Sequence, residues 1–138
     1  MSNLLLDTCA LLWLAAGSPR LSKGARRRID SSFVVYVSPI SLWEITRKVQ
    51  KGTLQLPMEP PEWFARVRRQ HNLTLLPLSD AVMFKAATLP EIHKDPADRF
   101  IIATALLNNL DVVSTDHNFP EYGVTCLISG NIHRHSLF

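Results

Sequence analysis

Short, uninterrupted apolar runs separated by polar and turn-forming residues dominate the hydrophobic pattern of this chain. Such runs lack the alternation of a strand with one face in water, and they are typical of strands covered on both faces, as in a parallel sheet. The run at 33–37 is the clearest strand, because it is rich in β-branched and aromatic residues. The predicted strands cover residues 3–6, 33–37, 73–77, 111–114 and 125–128.

Helical patterns fill most of the segments between these runs. In residues 39–51, Leu42, Ile45 and Val49 recur at helical spacing, and Gly52 supplies a C-terminal stop. The connection that follows, residues 54–61, is broken by prolines. The other predicted helices cover residues 8–16, 22–29, 62–71, 80 to about 89, and a last segment that ends near 108–109.

This alternation of strands and helices predicts an α/β fold, a three-layer α/β/α domain around a mostly parallel central sheet. With 138 residues, of which 46% are hydrophobic, we expect a single domain over residues 1–138 with a short polar tail from about residue 130. The longest apolar run, 9–16, is too short to span a bilayer, and the start lacks the basic leader of a signal peptide. We therefore expect a cytoplasmic protein.

The charge of the chain is mildly basic, with a net charge of +3 and a pI near 9.1. The basic residues are clustered, which suits the binding of phosphate backbones. Solvated helix faces have the same appearance, so both interpretations stay open. The clusters are Arg26-Arg27-Arg28, Arg47-Lys48 with Lys51, and Arg66 with Arg68-Arg69.

The two cysteines, Cys9 and Cys126, lie far apart in apolar sequence. Neither belongs to a C-x-x-C pair or to a cluster of His and Cys ligands. We therefore expect both to be reduced core residues, and we expect no structural zinc.

Four acids lie where predicted strands end or where the following helices begin. Asp7 and Asp116 each follow a predicted strand closely, Glu44 lies early in the helix at 39–51, and Asp98 begins another helix. In open parallel sheets the ligands gather beyond the carboxyl ends of the strands. The sequence therefore predicts that these four carboxylates converge at one edge of the sheet.

Each acid also has a simpler structural explanation. Asp7 fits an N-cap of the next helix, Asp116 fits a turn, and Glu44 fits a solvated helix face. Asp98 fits a helix cap as well, although Asp95, which precedes a proline, is the better candidate.

A group of carboxylates without other ligands favours hard divalent cations such as Mg²⁺ or Mn²⁺. Such ions activate water and stabilise the leaving oxygen in phosphodiester cleavage, which fits a metal-dependent nuclease. The chain has no G-x-S-x-G elbow, Walker-type loop or H-E-x-x-H motif. An aspartyl-phosphate mechanism at Asp7 lacks its D-x-D pattern, whereas a non-catalytic RNA- or protein-binding module that uses the basic clusters remains an alternative.

Four motifs surround the acids: LLLDT with ALLW (4–8 and 10–13), SPISLWEI (38–45), HKDPADRFIIATA (93–105) and STD (114–116). In this order they resemble the PIN-domain ribonucleases, and within them the VapC toxins of VapBC type II toxin–antitoxin systems. The resemblance spans most of the chain. It implies a PIN-like fold and an endoribonuclease that cleaves RNA by metal-activated water.

The resemblance also assigns roles to single residues. It implies that Asp7, Glu44, Asp98 and Asp116 are the catalytic residues and the ligands of one or two Mg²⁺ or Mn²⁺ ions. Ser114 matches a hydroxyl position that supports the site. Thr8 fits a similar role or simple capping, and Arg99 fits a contact with phosphate or antitoxin, or a surface ion pair.

Other residues of the motifs are expected to be structural. His93 and Asp95 fit loop shaping better than catalysis. Trp13 and Trp43 fit the core better than base stacking.

The partners follow from the resemblance alone. It implies an RNA substrate (tRNA or rRNA), a homodimer, and inhibition by a VapB-type antitoxin. The apolar segments at 11–14 and 39–51 are the expected antitoxin contacts. DNA is expected only indirectly, through the antitoxin, and no membrane is involved.

Overall fold

The computed structural model describes residues 3–92, 95–116, 118–128 and 131–133. In this part of the chain, six short strands form one sheet in the order β3-β2-β1-β4-β5-β6. Neighbouring strands are parallel except β5 and β6, which are antiparallel. The strands are β1 (Leu4–Leu6), β2 (Val35–Val37), β3 (Leu73–Leu75), β4 (Asp111–Val113), β5 (Cys126–Ile128) and β6 (Asn131–His133).

Six α-helices connect the strands in the described residues, and most of them begin at a side-chain cap. The side-chain oxygens of Asp7, Ser22, Ser38, Ser79 and Asp95 each accept a hydrogen bond from a backbone N–H of the helix that follows. The helices are α1 (Thr8–Ala16), α2 (Lys23–Ser31), α3 (Pro39–Gln50), α4 (Pro60–His71), α5 (Asp80–Thr88) and α6 (Pro96–Asn108). A short 3₁₀ helix, Pro120–Tyr122, precedes β5.

Two hydrophobic cores lie on opposite faces of the sheet. Side chains of β1 alternate between them, since Leu4 and Leu6 pack with α1, α2 and α4, whereas Leu5 packs with α5 and α6. Helix α3 contributes to both cores, with Ile45 in the first and Ile40 against the second. The predicted α/β/α architecture with a mostly parallel sheet is confirmed.

The strands predicted from apolar runs are all present, and the structure adds β6. The hydrophobic pattern did not predict this strand, because residues 131–133 fall in the expected polar tail. His93 lies outside the described residues. No helix in the described part of the chain is long and apolar enough to cross a membrane.

Two side chains expected in the core are exposed. Cys9 is a free, exposed cysteine, whereas Cys126 is free and buried as expected. The indole of Trp43 is also on the surface, with 61% of its area exposed. The prediction was wrong for Cys9 and Trp43 because α1 and the start of α3 are apolar on faces that the sheet does not cover.

Parts of the basic clusters serve the fold at the amino edge of the sheet. Arg28 forms an ion pair of 2.8 Å with Asp111, the first residue of β4. Arg68 donates from Nε to the carbonyl oxygen of Leu73, the first residue of β3, at 3.2 Å. These two arginines are therefore held at the strand starts.

Candidate active site

The sheet order changes direction between β1 and β4, and this point positions the candidate site. From β1 the chain moves outward to β2 and β3 on one side, and later to β4 and β5 on the other. Asp7 follows β1, and its backbone N–H donates to the carbonyl oxygen of Val113, the last residue of β4, at 3.1 Å. A crevice at such a switch point is where α/β sheets bind their ligands.

Asp7 is the most deeply buried of the four acids, with 6% of its surface exposed. Its Oδ1 accepts from the N–H of Ala10 at 2.8 Å, so the expected cap is present. Burial raises the pKa of Asp7 from 3.8 to about 6, against the lowering effect of hydrogen bonds from Ser114 and Ala10. The carboxylates of Asp116 and Glu44 raise it further. Asp7 is therefore both a helix cap and a member of an acidic cluster.

Ser114 connects the acids that follow β1 and β4. Its buried hydroxyl hydrogen-bonds to the carboxylate of Asp7, and its Oγ accepts from the N–H of Asp116 at 3.0 Å. Asp116 in turn accepts from the N–H of Asn118 at 2.9 Å, as in the turn considered from the sequence. Asp116 therefore forms this turn and also lies close enough to Asp7 to affect its pKa.

Glu44 reaches the site from the second turn of α3. Its Oε1 is buried, and it is the one buried side-chain oxygen or nitrogen without a hydrogen-bond partner among the described residues. A buried carboxylate oxygen without a partner is costly, because it has lost water and gained no donor. One turn earlier on α3, the hydroxyl of Ser41 accepts from Thr8 Oγ1 at 2.9 Å, which fixes α3 against α1. Thr8 therefore holds α3, which carries Glu44, against α1, which Asp7 caps.

Cys9, which the sequence assigned to the core, lies near several of the acids. Partial desolvation raises the pKa of its thiol, and the carboxylates of Asp7, Glu44 and Asp98 raise it further, while the ammonium of Lys48 lowers it. Charges act on the thiol in this way only when they lie near it. Asp98, in the first turn of α6, thus shares a neighbourhood with two of the other acids. The position of Cys9, two residues after Asp7, was the signal that could have placed it there.

Arg99 has a structural role despite its position beside Asp98. It is 9% exposed, and its guanidinium is held by carbonyl oxygens at the end of α5 and just beyond it. It reaches Glu91 only at 3.9 Å. The expected surface position is wrong, because Arg99 is buried and its donors are used by three backbone carbonyls, whereas the expected ion pair is present as this long contact with Glu91. The carbonyls are those of Ala86, Leu89 and Pro90, at 2.8 to 3.1 Å.

The donor set of the site suits a hard divalent cation, because all four acids offer carboxylate oxygens. The unpartnered Oε1 of Glu44 and the raised pKa of Asp7 are what a cation counteracts. Within residues 3–92, 95–116 and 118–128, however, no three His, Cys, Asp or Glu side chains are close enough together to enclose an ion.

Comparison with known proteins agrees with this architecture. The chain is 28% identical over 123 residues to Ribonuclease VapC22 of Mycobacterium tuberculosis, covering 88% of this chain and 93% of the relative. The fold is similar to VapBC2 of Rickettsia felis bound to a promoter DNA fragment, with a TM-score of 0.68, 14% identity, and coverage of 90% and 96%. It is also similar to M. tuberculosis VapC20, a toxin that cleaves the sarcin–ricin loop, with a TM-score of 0.61, 17% identity, and coverage of 88% and 95%.

The family model of the PIN domain matches residues 4–124, which include every acid of the candidate site. The match covers most of the 138 residues. The chain belongs to the PIN-domain family.

Proposed function

We propose that this protein is a divalent-metal-dependent endoribonuclease that acts as the toxin of a VapBC-type toxin–antitoxin pair. The support for ribonuclease activity is the PIN domain and the similarity to a relative named as a ribonuclease. The support for the toxin role is the structural likeness to VapBC proteins. The expected substrate is tRNA or rRNA, in the cytoplasm.

In this proposal Asp7, Glu44, Asp98 and Asp116 hold one or two Mg²⁺ or Mn²⁺ ions. When bound, such an ion supplies a Lewis acid that activates water and offsets charge at the phosphate. The protein's own contribution is to keep these acids in place and partly shielded from water. Ser114 orients Asp7 and the backbone of Asp116 through its two hydrogen bonds.

One observation carries the proposal: the buried Oε1 of Glu44 has no partner among the described residues, while burial and nearby carboxylates raise the pKa of Asp7. A protein that needed these acids only for folding gains nothing from either feature, since both destabilise the charged site. A cation removes both costs at once. The arrangement is therefore better explained by metal binding than by helix capping alone.

The proposed antitoxin has an apolar surface available on the first core's side of the molecule. Two clefts adjoin there, one of about 320 Å³ against Ile45, Trp63 and Phe64, and one of about 550 Å³ against Trp13 and Trp63. They lie along α1, α3 and α4, which includes the segments 11–14 and 39–51 expected from the sequence. Apolar clefts of this kind suit the side chains of an amphipathic segment. A homodimer belongs to the same proposal.

The direct test is RNA cleavage by purified protein freed of any partner. We expect cleavage of tRNA or rRNA with Mg²⁺, none with EDTA, and a loss of about a thousandfold in Asp98→Asn. Asp80→Asn is the matched control, because Asp80 is an exposed aspartate in the first turn of α5. It should cleave as the wild type does.

A binding measurement makes the test independent of the choice of RNA. Mg²⁺ or Mn²⁺ should raise the melting temperature of wild-type protein and of Asp80→Asn, and should raise it less in Asp98→Asn. Equal stabilisation of all three proteins contradicts the site. RNA affinity that is unchanged by metal and by Glu44→Gln, without cleavage, favours the non-catalytic binding module instead.

A further inference from the structure

Lys48 is a basic residue at the edge of the acidic cluster that the proposed function does not yet use. It lies four residues after Glu44 on α3, so the two side chains share one face of the helix. It is half-buried, in contrast to the exposed side chains of Arg47 and Lys51 beside it. This distinguishes it from the rest of its basic cluster.

The acidic cluster lies close to the side chain of Lys48. Glu44 lies one turn before Lys48 on the same face of α3, and Asp7 caps α1, which packs against α3. The hydrogen bond between Thr8 and Ser41 holds α1 and α3 together here, so this proximity is built into the packing. Lys48 is therefore at the site because of the fold.

The ammonium of Lys48 differs in its contacts from the arginines that the fold holds in place. It makes no side-chain hydrogen bond and no ion pair with the described residues, although acids lie close by. Arg28 and Arg99, by contrast, are held by a carboxylate and by backbone carbonyls. A half-buried lysine that is left without a partner beside a site for anionic substrate suits a phosphate, which it binds as a point charge.

We propose that Lys48 is a substrate-binding residue whose ammonium contacts a backbone phosphate of the RNA strand lying across the acids. This inference rests on the proposed ribonuclease function and names a residue that anchors the substrate there. Glu44 and Lys48 then act on the same RNA strand from one helix, because Glu44 helps to hold the metal ion and Lys48 contacts a phosphate. The contact is with the backbone, so it adds affinity without base selectivity.

The experiment separates binding from chemistry. RNA affinity is measured by fluorescence anisotropy in the Asp98→Asn background, at several salt concentrations, for Lys48→Met and for Lys51→Met. Lys48→Met should weaken binding about tenfold and make the slope of log K against log salt less steep by about 0.7, the value for one phosphate contact on a single strand. Lys51→Met removes the same charge from an exposed position on the same helix, and it should change both much less.

The same two substitutions in the active protein give the kinetic counterpart. Lys48→Met should raise KM about tenfold with kcat nearly unchanged, and Lys48→Arg should restore most of the loss, because it keeps the positive charge. Equal effects of Lys48→Met and Lys51→Met overturn the proposal, and so does a loss confined to kcat with an unchanged salt slope. If wild-type protein does not cleave RNA at all, the proposed function fails, but the binding measurement still decides the role of Lys48.

Discussion

The charged residues at the two edges of the central sheet differ in their contacts. At the amino edge, Arg28 is paired with Asp111 at 2.8 Å, and Arg68 is bound to the carbonyl of Leu73. At the carboxyl edge, Asp7 has a raised pKa, and one oxygen of Glu44 is buried with no hydrogen-bond partner in the part of the chain that the structure describes. The charged residues near the strand starts are therefore paired, whereas the acids beyond the strand ends include a carboxyl group whose pKa is raised by burial.

This difference shows which charges serve the fold and which are free for a ligand. Complementary charges near the surface stabilise a protein only slightly, but they satisfy one another. Carboxylates gathered close together destabilise the folded state by mutual repulsion, so a fold that keeps them needs another reason. The contrast points to the carboxyl edge as the place of chemistry.

The largest effect expected is on RNA cleavage, in a comparison of one aspartate from each edge. Asp7→Asn should lower the cleavage rate about a thousandfold, because it removes a proposed metal ligand without removing the helix cap. Asp111→Asn, at the amino edge, should change the rate less than twofold. Both rates are measured on the same RNA with saturating Mg²⁺. Comparable losses in the two variants break the contrast between the edges.

Arg99 tests whether a charged residue that lies next to the site but is held by the fold serves stability. It is adjacent to Asp98, yet its guanidinium is held by the carbonyls of Ala86, Leu89 and Pro90. Arg99→Met should lower the free energy of unfolding by about 3 kcal/mol, because buried carbonyls lose their donors. Urea denaturation measures this loss. Arg66→Met, an exposed arginine on α4, should change stability by less than about 0.5 kcal/mol.

These contrasts also show how far the sequence could predict the molecule. The apolar runs located five strands within a few residues, because burial on both faces of a parallel sheet leaves a signal in every strand. The positions of Asp7 and Asp116 after strands then placed them at one edge by topology alone. Glu44 and Asp98, near the starts of helices, were placed at the same edge by the same argument. The motifs that resemble the PIN domain then assigned roles to the four acids, and the match to the family model confirmed the family.

What the sequence missed depends on tertiary contacts. Helix α1 is apolar along most of its length, so periodicity could not tell which face is covered, and the exposed Cys9 was assigned to the core. Arg99 was expected on the surface because charged residues are rarely buried, and its carbonyl partners belong to another element. The half-buried Lys48 could not be distinguished from its exposed neighbours for the same reason.

Because its pKa is raised, charged Asp7 should lower the free energy of unfolding above about pH 6. A carboxyl group whose pKa is higher in the folded state than in the unfolded state destabilises the fold when it is charged, and the cost disappears as pH falls from about 6 to 3.8. In EDTA at pH 7.5, Asp7→Asn should therefore raise the free energy of unfolding by about 3 kcal/mol. Urea denaturation between pH 4 and pH 8 measures the difference from wild type.

The shape of this pH dependence distinguishes ionisation from other effects of the substitution. The gain in Asp7→Asn should shrink as the pH falls below 6 and nearly vanish near pH 4, because wild-type Asp7 is then neutral too. Asp95→Asn is the matched control, since Asp95 is also an N-cap that accepts a backbone hydrogen bond. A gain that is independent of pH, or one shared by Asp95→Asn, contradicts the explanation by buried charge.

The smallest effect expected belongs to the ion pair between Arg28 and Asp111. Its side chains are 23% and 27% exposed, so water screens most of the attraction, and a double-mutant cycle should give a coupling of only about 0.5 to 1 kcal/mol. The cycle compares Arg28→Met, Asp111→Asn and the double variant by urea denaturation, at low salt and at 0.5 M NaCl. The coupling should weaken at high salt, while RNA cleavage stays at the wild-type rate in all three variants. A loss of cleavage in Arg28→Met alone makes the amino edge part of the RNA-binding surface, because Asp111→Asn leaves that positive charge in place.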